Sequence, residues 1–409
     1  MRVLIASQYF PPEIHGPSAR LGAFASGLAA RGHEVEVVCE VPSHPGGVVA
    51  PGYGGHFAER RHVDGYDVNY VWVRAKPSKR ALARVANYAS YAVTATLIGA
   101  SRRRPDVVFA SSPPLPVGNV GATLAFRHRV PWVLDVRDLW PDAAVAVGEM
   151  EHGRIYRMAA RLERRLYRSA AAITATTEDF ARAIEGRGGA GKVTLVRNGT
   201  QDLFLEIGSE EPDPELAGES DGRFTWTYAG NLGLAQGLEA AVEAAKLLGD
   251  GYRLILIGEG PRRAELIRMA EALPPGTVEV RDPIPPERAG RILRASDALL
   301  VSLAPGFDGF VPSKLFDCCA VARPVILAAE GEAAELAGQA EAAVCVRPGD
   351  PVELADAVRR VAGDAGLRDT LVQRGRAFAE ANSRAAGVVQ LEGVLEAVVG
   401  RAPRDRGNA

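Results

Sequence analysis

Short apolar runs rich in β-branched residues alternate with segments of helical periodicity along almost the whole chain. Strands that alternate with helices in this way are typical of parallel sheets built from βαβ units. The strand candidates of the first half are Arg2–Ser7, Glu34–Glu40, Tyr66–Val73, Asp106–Ser112, Trp132–Asp138, Ala171–Thr177 and Lys192–Asn198. Those of the second half are Phe224–Gly230, Tyr252–Gly258, Thr277–Asp282, Asp297–Leu303, Arg323–Ala329 and Ala342–Val346.

The two series of strands are separated by Ser209–Gly222, an acidic stretch rich in Pro and Gly of the kind that links domains. We therefore predict two Rossmann-like, doubly wound α/β domains, over residues 1–205 and 206–382, that face each other across a central cleft. Residues 383–400 are expected to form a helix that packs back on the N-terminal domain, and residues 401–409 a disordered tail.

Composition narrows the classes of function. The 409 residues carry a formal net charge of -2, which argues against a general nucleic-acid binder. No apolar run reaches about 18 residues, so no membrane span is expected, and the N-terminal run reads as a strand rather than a signal peptide. The four cysteines lack the spacing of a metal site and are predicted to be reduced thiols in a cytoplasmic protein.

Two Rossmann-like domains also suit a dinucleotide dehydrogenase, but the fingerprint of that class is missing. It requires G-x-G-x-x-G directly after a strand. The first strand runs instead into the long loop Gln8–Gly16, and Gly258-Glu259-Gly260 is followed by Arg263 where the third glycine belongs. A nicotinamide enzyme is therefore disfavoured.

Glycines at strand ends provide candidate anion sites. Gly16 opens a helix, and both Gly230–Gly233 and Gly258–Gly260 follow strands, so backbone amides there would be open to a phosphate or a sugar. Ordinary tight turns would explain the same residues. Lys314, one of only five lysines, follows Ser313, a predicted helix N-cap, and would add an ammonium to a phosphate site.

Seven segments taken together are similar to the retaining glycosyltransferases of family 4, and most of all to the branch that builds bacterial surface polysaccharides from N-acetyl-aminosugar donors such as L-fucosamine. In chain order they are Tyr9–Arg20, Arg31–Cys39, Val136–Asp142, Arg197–Phe204, Tyr228–Glu239, Ile257–Pro261 and Val311–Ile326. The resemblance covers the chain to about residue 400. It implies the two-Rossmann GT-B fold, with the acceptor in the N-terminal half and a nucleotide sugar in the C-terminal half.

The resemblance also assigns residues to the donor. It implies a donor site made of Gly16, Gly230, Asn231, Gly258, Glu259 (near the base), Ser313, Lys314, Leu315 and Asp317, with Asp317 on the ribose where relatives usually have Glu. Many relatives grip the diphosphate with an Arg and a Lys five residues later, and here those positions are Asn231 and Gln236. Lys314, Arg20 and Arg323 are then the candidate cations. The first of two family glutamates aligns with Gly309, and either Asp308 or Asp317 is left to replace that pair.

On the acceptor side, Arg137-Asp138 stands where many relatives have His-Asp. Asp138 is expected to orient the acceptor hydroxyl or to stabilise positive charge on the sugar, and Arg137 and Lys314 complete the predicted catalytic set. The alternative is a structural Asp138, paired with Arg137 or capping the next helix. No D-x-D motif occurs, so neither a catalytic metal nor any other cofactor is expected.

The resulting hypothesis is a retaining, metal-independent transfer of a sugar from a nucleotide donor, with a UDP-N-acetyl-aminosugar as the expected donor, to an acceptor hydroxyl. The acceptor is either lipid-linked, as in polysaccharide or glycolipid synthesis, or a soluble metabolite. A nucleotide-sugar 2-epimerase and a non-enzymatic nucleotide-sugar sensor are the competing classes.

Residues 80–104 predict one helix with an apolar stripe and basic ends. In the stripe Leu82, Val85, Ala89, Val93, Leu97 and Ala100 recur at steps of three and four residues. Such a helix suits peripheral contact with anionic lipid, at the inner face of the cell membrane. The alternative is that the same stripe packs on the helix's own sheet.

Overall fold

The computed structural model describes residues 1–13, 16–43, 46–77, 81–146, 150–213 and 222–401. The chain divides into two compact units. The first unit is Met1–Arg197 together with the chain from Gly387 onward, and the second unit is Asn198–Ala386. Each unit is an α/β domain built on a parallel sheet, as the alternation of runs predicts.

The sheet of the first unit has eight strands, in the spatial order β3-β4-β2-β1-β5-β6-β7-β8, and only β3 runs antiparallel to its neighbour. The strands are β1 (Arg2–Ala6), β2 (Glu34–Glu40), β3 (Ala58–Val63), β4 (Tyr66–Val71), β5 (Val107–Ser112), β6 (Trp132–Val136), β7 (Ala172–Ala175) and β8 (Val193–Leu195). The helices are α1 (Gly16–Ala30), α2 (Ala81–Ala100), α3 (Pro116–His128), α4 (Asp142–Ala146), α5 (Arg154–Ser169) and α6 (Glu178–Ile184), which continues into a π-helical turn, Glu185–Gly189.

The sheet of the second unit has six parallel strands in the order β11-β10-β9-β12-β13-β14. They are β9 (Phe224–Ala229), β10 (Tyr252–Ile257), β11 (Val278–Arg281), β12 (Ala298–Ser302), β13 (Val325–Ala328) and β14 (Val344–Val346). The helices are α7 (Asp202–Ile207), α8 (Glu239–Leu248), α9 (Arg263–Glu271), α10 (Pro286–Ala295), α11 (Ser313–Ala320), α12 (Gly331–Gln339), α13 (Pro351–Gly363) and α14 (Ala365–Ala381), and a 3-10 turn covers Leu234–Gln236. A last helix, α15 (Arg384–Arg401), begins in this unit and belongs to the first unit from Gly387 onward.

Both sheets are buried on their two faces, as parallel sheets with flanking helices must be. In the first unit β5 and β6 are buried at every residue. In the second unit Trp226, Tyr228 and Leu254 are fully enclosed on one face of the sheet, and Leu299, Val301 and Leu315 lie in the core on the other. Because the strands run parallel, the loops that follow them meet at one edge of each sheet.

The division between the units differs from the predicted boundary at residue 205. It falls at Arg197–Asn198, because α7 packs with the second unit, where Phe204 and Ile207 enter the core. The acidic stretch Ser209–Gly222 therefore lies within the second unit, and residues 214–221 are outside the described part of the chain. The C-terminal helix α15 joins the first unit from Gly387 onward. The predicted tail is outside the described residues from 402 on.

The buried face of helix α2 is not the predicted apolar stripe. Its buried residues are Tyr91, Thr94, Ala95 and Gly99. Val85, Val93 and Leu97, the middle of the predicted apolar stripe, are exposed. The expectation that the stripe packs on the sheet is therefore wrong. Among the helices that the structure describes, none is both long and apolar enough to span a membrane.

Candidate active site

Two glycines bring the ends of β9 and β10 into close contact in the second unit. Gly230 follows β9 with φ 147° and Gly258 follows β10 with φ 148°, both in a region that residues with a side chain rarely adopt. A Cβ at Gly258 would overlap the Gly230 carbonyl oxygen, and a Cβ at Gly230 would overlap the Lys314 ammonium. Gly258 therefore requires glycine for space as well as for conformation, and Gly230 requires it for conformation and for the place that Lys314 occupies.

The backbone amides of these turns are largely engaged within the protein. The Gly230 amide donates to the Ile257 carbonyl oxygen at 2.8 Å and the Leu232 amide to the Glu259 carbonyl oxygen at 2.8 Å. The Gly233 amide donates to Gln236 Oε1 at 3.2 Å, and the Gly258 amide to the Arg281 carbonyl oxygen at 3.2 Å. The prediction of a series of open amides here is wrong for these four residues. These four amides are therefore not available to an anion, and a full positive charge at the turns comes from a side chain.

Lys314 provides that charge. Its ammonium lies against Gly230 and 5.5 Å from the centroid of the Tyr228 ring. Nζ makes no hydrogen bond or ion pair with any of the described residues, and burial lowers the pKa of Lys314 from its ordinary value. The nearby Asp317 charge acts against this shift but does not pair with the ammonium, so Lys314 is suited to receive an anionic group of a ligand.

Neutral side chains replace cations in the loop that follows Gly230. Gln236 Oε1 accepts from the Gly233 amide and, at 3.4 Å, from Asn231 Nδ2. Asn231 and Gln236 therefore brace this loop against each other. Glu259 is exposed, and its Oε1 accepts from the Gly260 amide at 3.1 Å.

Helix α11 carries Lys314 and Asp317 to different neighbours. Ser313 is the first helical residue rather than the predicted N-cap, a position that Pro312 occupies, and Leu315 is fully buried beneath the helix. The Asp317 carboxylate accepts from the Gln201 amide at 3.1 Å and from Gln201 Nε2 at 3.4 Å. Burial raises the pKa of Asp317 to about 6, against these hydrogen bonds and the charge of Arg384.

In the first unit, Arg137 and Asp138 follow β6. Arg137 Nη2 donates to the Pro113 carbonyl oxygen at 2.6 Å, while its Nε and Nη1 are buried without a hydrogen-bond partner. Burial lowers the pKa of Arg137 and raises that of Asp138 to about 6. The Asp138 carboxylate makes no hydrogen bond or ion pair with the part of the chain that the structure describes. Two oppositely charged groups with spare capacity thus stand at the same strand end.

A second polar cluster lies at the ends of β1 and β2. Gln8 Nε2 donates to Glu40 Oε2 at 2.7 Å and to Asn87 Oδ1 at 2.6 Å. The Ser43 hydroxyl donates to Glu40 Oε1 at 3.1 Å, and the Ser43 amide to Glu13 Oε1 at 2.9 Å. Burial is the main cause that raises the pKa of Glu40 to about 8, and the nearby Glu13 charge adds to it. Sequence reasoning missed this cluster, although an acidic residue that ends the apolar run Glu34–Glu40 was a usable signal.

Comparison with known proteins assigns a family to each half. Residues 15–199 match the model of the glycosyl transferase 4-like domain, and residues 223–364 match that of the glycosyl transferases group 1. The chain is a glycosyltransferase with the GT-B fold. The first matched range ends two residues beyond the segment Met1–Arg197 of the first unit, and the second range lies within the second unit.

Relatives and solved structures agree with this assignment along the length of the chain. The glycosyltransferase is 26% identical over 380 residues to the putative colanic acid biosynthesis glycosyl transferase WcaI of Escherichia coli (strain K12), covering 88% of this chain and 92% of that protein. Sucrose-phosphate synthase from Thermosynechococcus elongatus superposes with a TM-score of 0.76 at 18% identity, covering 98% and 100% of the chains. Anabaena HepE in complex with UDP gives 0.70 at 16%, covering 97% and 100%.

Two predicted candidates for the diphosphate cation are engaged elsewhere in the glycosyltransferase. Arg20 is buried and donates to the Arg197 carbonyl oxygen at 2.6 Å, the Val196 carbonyl oxygen at 2.8 Å and Asp135 Oδ1 at 3.1 Å. Arg323 precedes β13, so it lies at the amino edge of its sheet, and its Nε donates to the Arg294 carbonyl oxygen at 2.6 Å. Arg20 is therefore occupied by oxygen atoms of the first unit, and Arg323 lies at the edge of the second sheet opposite the glycine turns.

Three further predicted site residues, Gly16, Asp308 and Asp317, have the following positions. Gly16 is the first residue of α1, and the two residues before it lie outside the described chain. Asp308 is exposed in the loop after β12, and its carbonyl oxygen accepts from the Glu332 amide at 3.2 Å. The contact of Asp317 with a ribose stays a prediction, and that ribose would share the carboxylate with Gln201.

Lys314→Ala is expected to weaken UDP binding about tenfold to a hundredfold, because a charge-assisted hydrogen bond contributes roughly 1.5–3 kcal/mol. Isothermal titration calorimetry with UDP measures this directly. Lys246→Ala is the matched control, since Lys246 is an exposed lysine in the last turn of α8 and is expected to leave the affinity unchanged. Equal UDP affinity in Lys314→Ala and the unaltered protein would refute the assignment of Lys314.

Glu40→Gln is expected to remove a pH dependence of stability. The Glu40 carboxyl has an ordinary pKa of 4.5 when unfolded and a pKa of about 8 when folded. Between these values the folded state holds the extra proton, so the contribution of Glu40 to the free energy of unfolding falls as the pH rises from 4.5 through 8. Urea titrations across this range should show a flatter profile for the variant, whose amide does not titrate.

The control for this measurement is Glu243→Gln, at an exposed glutamate of α8, which should keep the original profile. The raised pKa values of Asp138 and Asp317 add a decline between about pH 4 and 6 that both variants retain. A decline from pH 6 to 8 that is as steep in Glu40→Gln as in the unaltered protein would show that Glu40 is not protonated in the fold.

Proposed function

We propose that this glycosyltransferase transfers a sugar from a UDP-linked donor, a UDP-N-acetyl-aminosugar, to an acceptor hydroxyl with retention of anomeric configuration. The observation that carries the proposal is the unpaired Lys314 ammonium against Gly230, which is suited to a diphosphate. The solved HepE complex with UDP supports the choice of nucleotide. The name of the relative WcaI, a putative enzyme of colanic acid biosynthesis, supports a role in polysaccharide assembly.

The proposed chemistry depends on stabilising the leaving group. As the bond between the anomeric carbon and the phosphate oxygen breaks, negative charge grows on the diphosphate, where Lys314 opposes it. The acceptor oxygen attacks from the same face, and the departing phosphate takes its proton, so no protein nucleophile is consumed. The Asp317 carboxylate accepts hydrogen bonds from Gln201. This agrees with a departing phosphate, rather than Asp317, as the group that takes the proton.

Metal independence is the second part of the proposal. Lys314 supplies the positive charge that a divalent cation supplies in other transferases. In the described part of the chain, His33, Glu392 and Glu396 are grouped closely enough to hold a metal ion. His33 lies directly before β2, at the amino edge of its sheet, so this group is not at the strand ends that carry Lys314 or Asp138.

Arg137 and Asp138 are proposed to receive the acceptor. The Asp138 carboxylate is free to accept a hydrogen bond from a hydroxyl, and Arg137 Nη1 is free to donate one. We propose a lipid-linked acceptor, and a soluble metabolite is the alternative that the experiment below distinguishes.

Turnover of a panel of nucleotide sugars, followed by mass spectrometry, tests the function. Each donor is incubated with a crude lipid extract, with a pool of small-molecule acceptors, and alone. The expected result is release of UDP together with a glycosylated lipid whose anomeric configuration matches that of the donor. The same reaction with EDTA should proceed at an unchanged rate.

Several results would contradict the proposal. An epimeric nucleotide sugar formed without acceptor would indicate an epimerase, and donor binding without turnover would indicate a sensor. A glycosylated soluble compound without any glycosylated lipid would contradict the lipid-linked acceptor and indicate a small-molecule acceptor. Loss of activity in EDTA that Mg²⁺ or Mn²⁺ restores would overturn metal independence.

A further inference from the structure

Helix α2 exposes an apolar stripe along its outer face. Val85, Val93 and Leu97 are 61%, 60% and 57% exposed, and Ala89 between them is exposed as well. Their spacing of four residues places them on one side of the helix, opposite the buried Tyr91 and its neighbours. No described element covers this stripe.

Helix α5 exposes a row of arginines. They are Arg154, Arg157, Arg161, Arg164, Arg165 and Arg168. At 3.6 residues per turn they fall within an arc of about 100° on the outer side of the helix. None of the six forms an ion pair with the described residues. The one acidic residue of α5, Glu163, is buried with Tyr167 and Arg187. Ile155 and Met158, beside the row, are 72% and 68% exposed.

Helix α3 joins these two features into one surface. Gly99 of α2 packs against Leu124 of α3, and Gly118 of α3 packs against Leu166 of α5. Phe126, on the outer side of α3, is 86% exposed. The outer faces of α2, α3 and α5 therefore form a continuous surface, here called the docking surface, with apolar residues on α2, an aromatic ring on α3 and arginines on α5.

We propose that the docking surface binds an anionic phospholipid membrane. Arginine stems lie along an apolar boundary while their guanidinium groups reach lipid phosphates, and exposed Val, Leu, Met and Phe side chains enter the headgroup region. The chain has a net charge of -2, so the unpaired arginines of α5 are a local feature rather than a general excess of positive charge. This charge complementarity favours anionic lipid over a second copy of the chain.

The unpaired positive charge of the docking surface lies mainly on α5, and less at the basic C-terminal end of α2 that the sequence analysis singled out. Arg102 lies 3.9 Å from Glu36 and Arg103 lies 3.7 Å from Glu34, so both are partly neutralised. The purpose of the surface rests on the proposed function, since a lipid-linked acceptor would be reached from the membrane plane. Binding itself does not depend on catalysis.

Cosedimentation of the full chain with phosphatidylcholine vesicles, with or without phosphatidylglycerol, tests the proposal. Binding is expected only with the anionic lipid and should be lost at high salt. Each arginine near an anionic surface contributes roughly fivefold to partitioning. The variant with Arg157, Arg161, Arg164 and Arg168 changed to Gln should therefore bind at least tenfold more weakly. Changing Val93 and Leu97 to Ser should also weaken binding.

Matched variants in the second unit separate this effect from a general change of charge or polarity. Arg288, Arg291, Arg359 and Arg374 changed to Gln remove the same charge from exposed positions, and Leu247 with Val352 changed to Ser removes exposed apolar surface. Both variants should bind vesicles normally. Every variant should keep the circular dichroism spectrum and the UDP affinity of the unaltered protein.

A protein that stays in the supernatant at every ionic strength would overturn the docking surface and leave the proposed function intact if UDP binding and turnover persist. Vesicle binding without any sugar transfer would support the docking surface and contradict the proposed function. Equal loss in the α5 and control variants, equal binding to neutral lipid, or dimerisation through α2 without vesicle binding would each contradict the proposal.

Discussion

The second unit of this glycosyltransferase, the proposed donor half, depends on one close contact between the backbone after β9, the backbone after β10 and the ammonium of Lys314. Gly230 and Gly258 allow it because any Cβ would occupy the space that the neighbouring carbonyl or ammonium fills. The contact uses the amides of both turns for internal hydrogen bonds. Lys314 is therefore left as the cation at this strand end, and the proposed chemistry follows from that placement.

The first unit handles buried charge in a different way. Arg20 and Asp135 neutralise each other in the core, where Ser111 and Thr174 also donate to the carboxylate, and the Arg20 charge helps to hold the pKa of Asp135 below its ordinary value against burial. Breaking such a buried pair is costly, and its two charges are already used within the core. Arg137 and Asp138, at the end of β6, have hydrogen-bonding capacity left over. This difference is the reason for which they are proposed to receive an acceptor.

Local pattern was sufficient for the architecture, and it singled out Lys314, whose part in donor binding stays a prediction. Buried parallel strands are apolar runs that can be recognised in the sequence. A lysine at a predicted helix start in a chain with few lysines can be recognised there as well. Contacts between distant residues were not visible. The carbonyl oxygens that Arg20 meets lie 176 and 177 residues away, and the Gln201 amide that Asp317 meets lies 116 residues away. Similarly, periodicity found the apolar stripe of α2 but could not tell which side of the helix faces the sheet.

Lys314 and the glycine turns are proposed to hold the diphosphate of the donor, and a crystal structure of the complex with UDP would show whether they do. We expect a diphosphate oxygen within about 2.7–3.2 Å of Lys314 Nζ, beside Gly230. A well-ordered UDP whose diphosphate lies away from Lys314, with the ammonium still unpaired, would contradict the account.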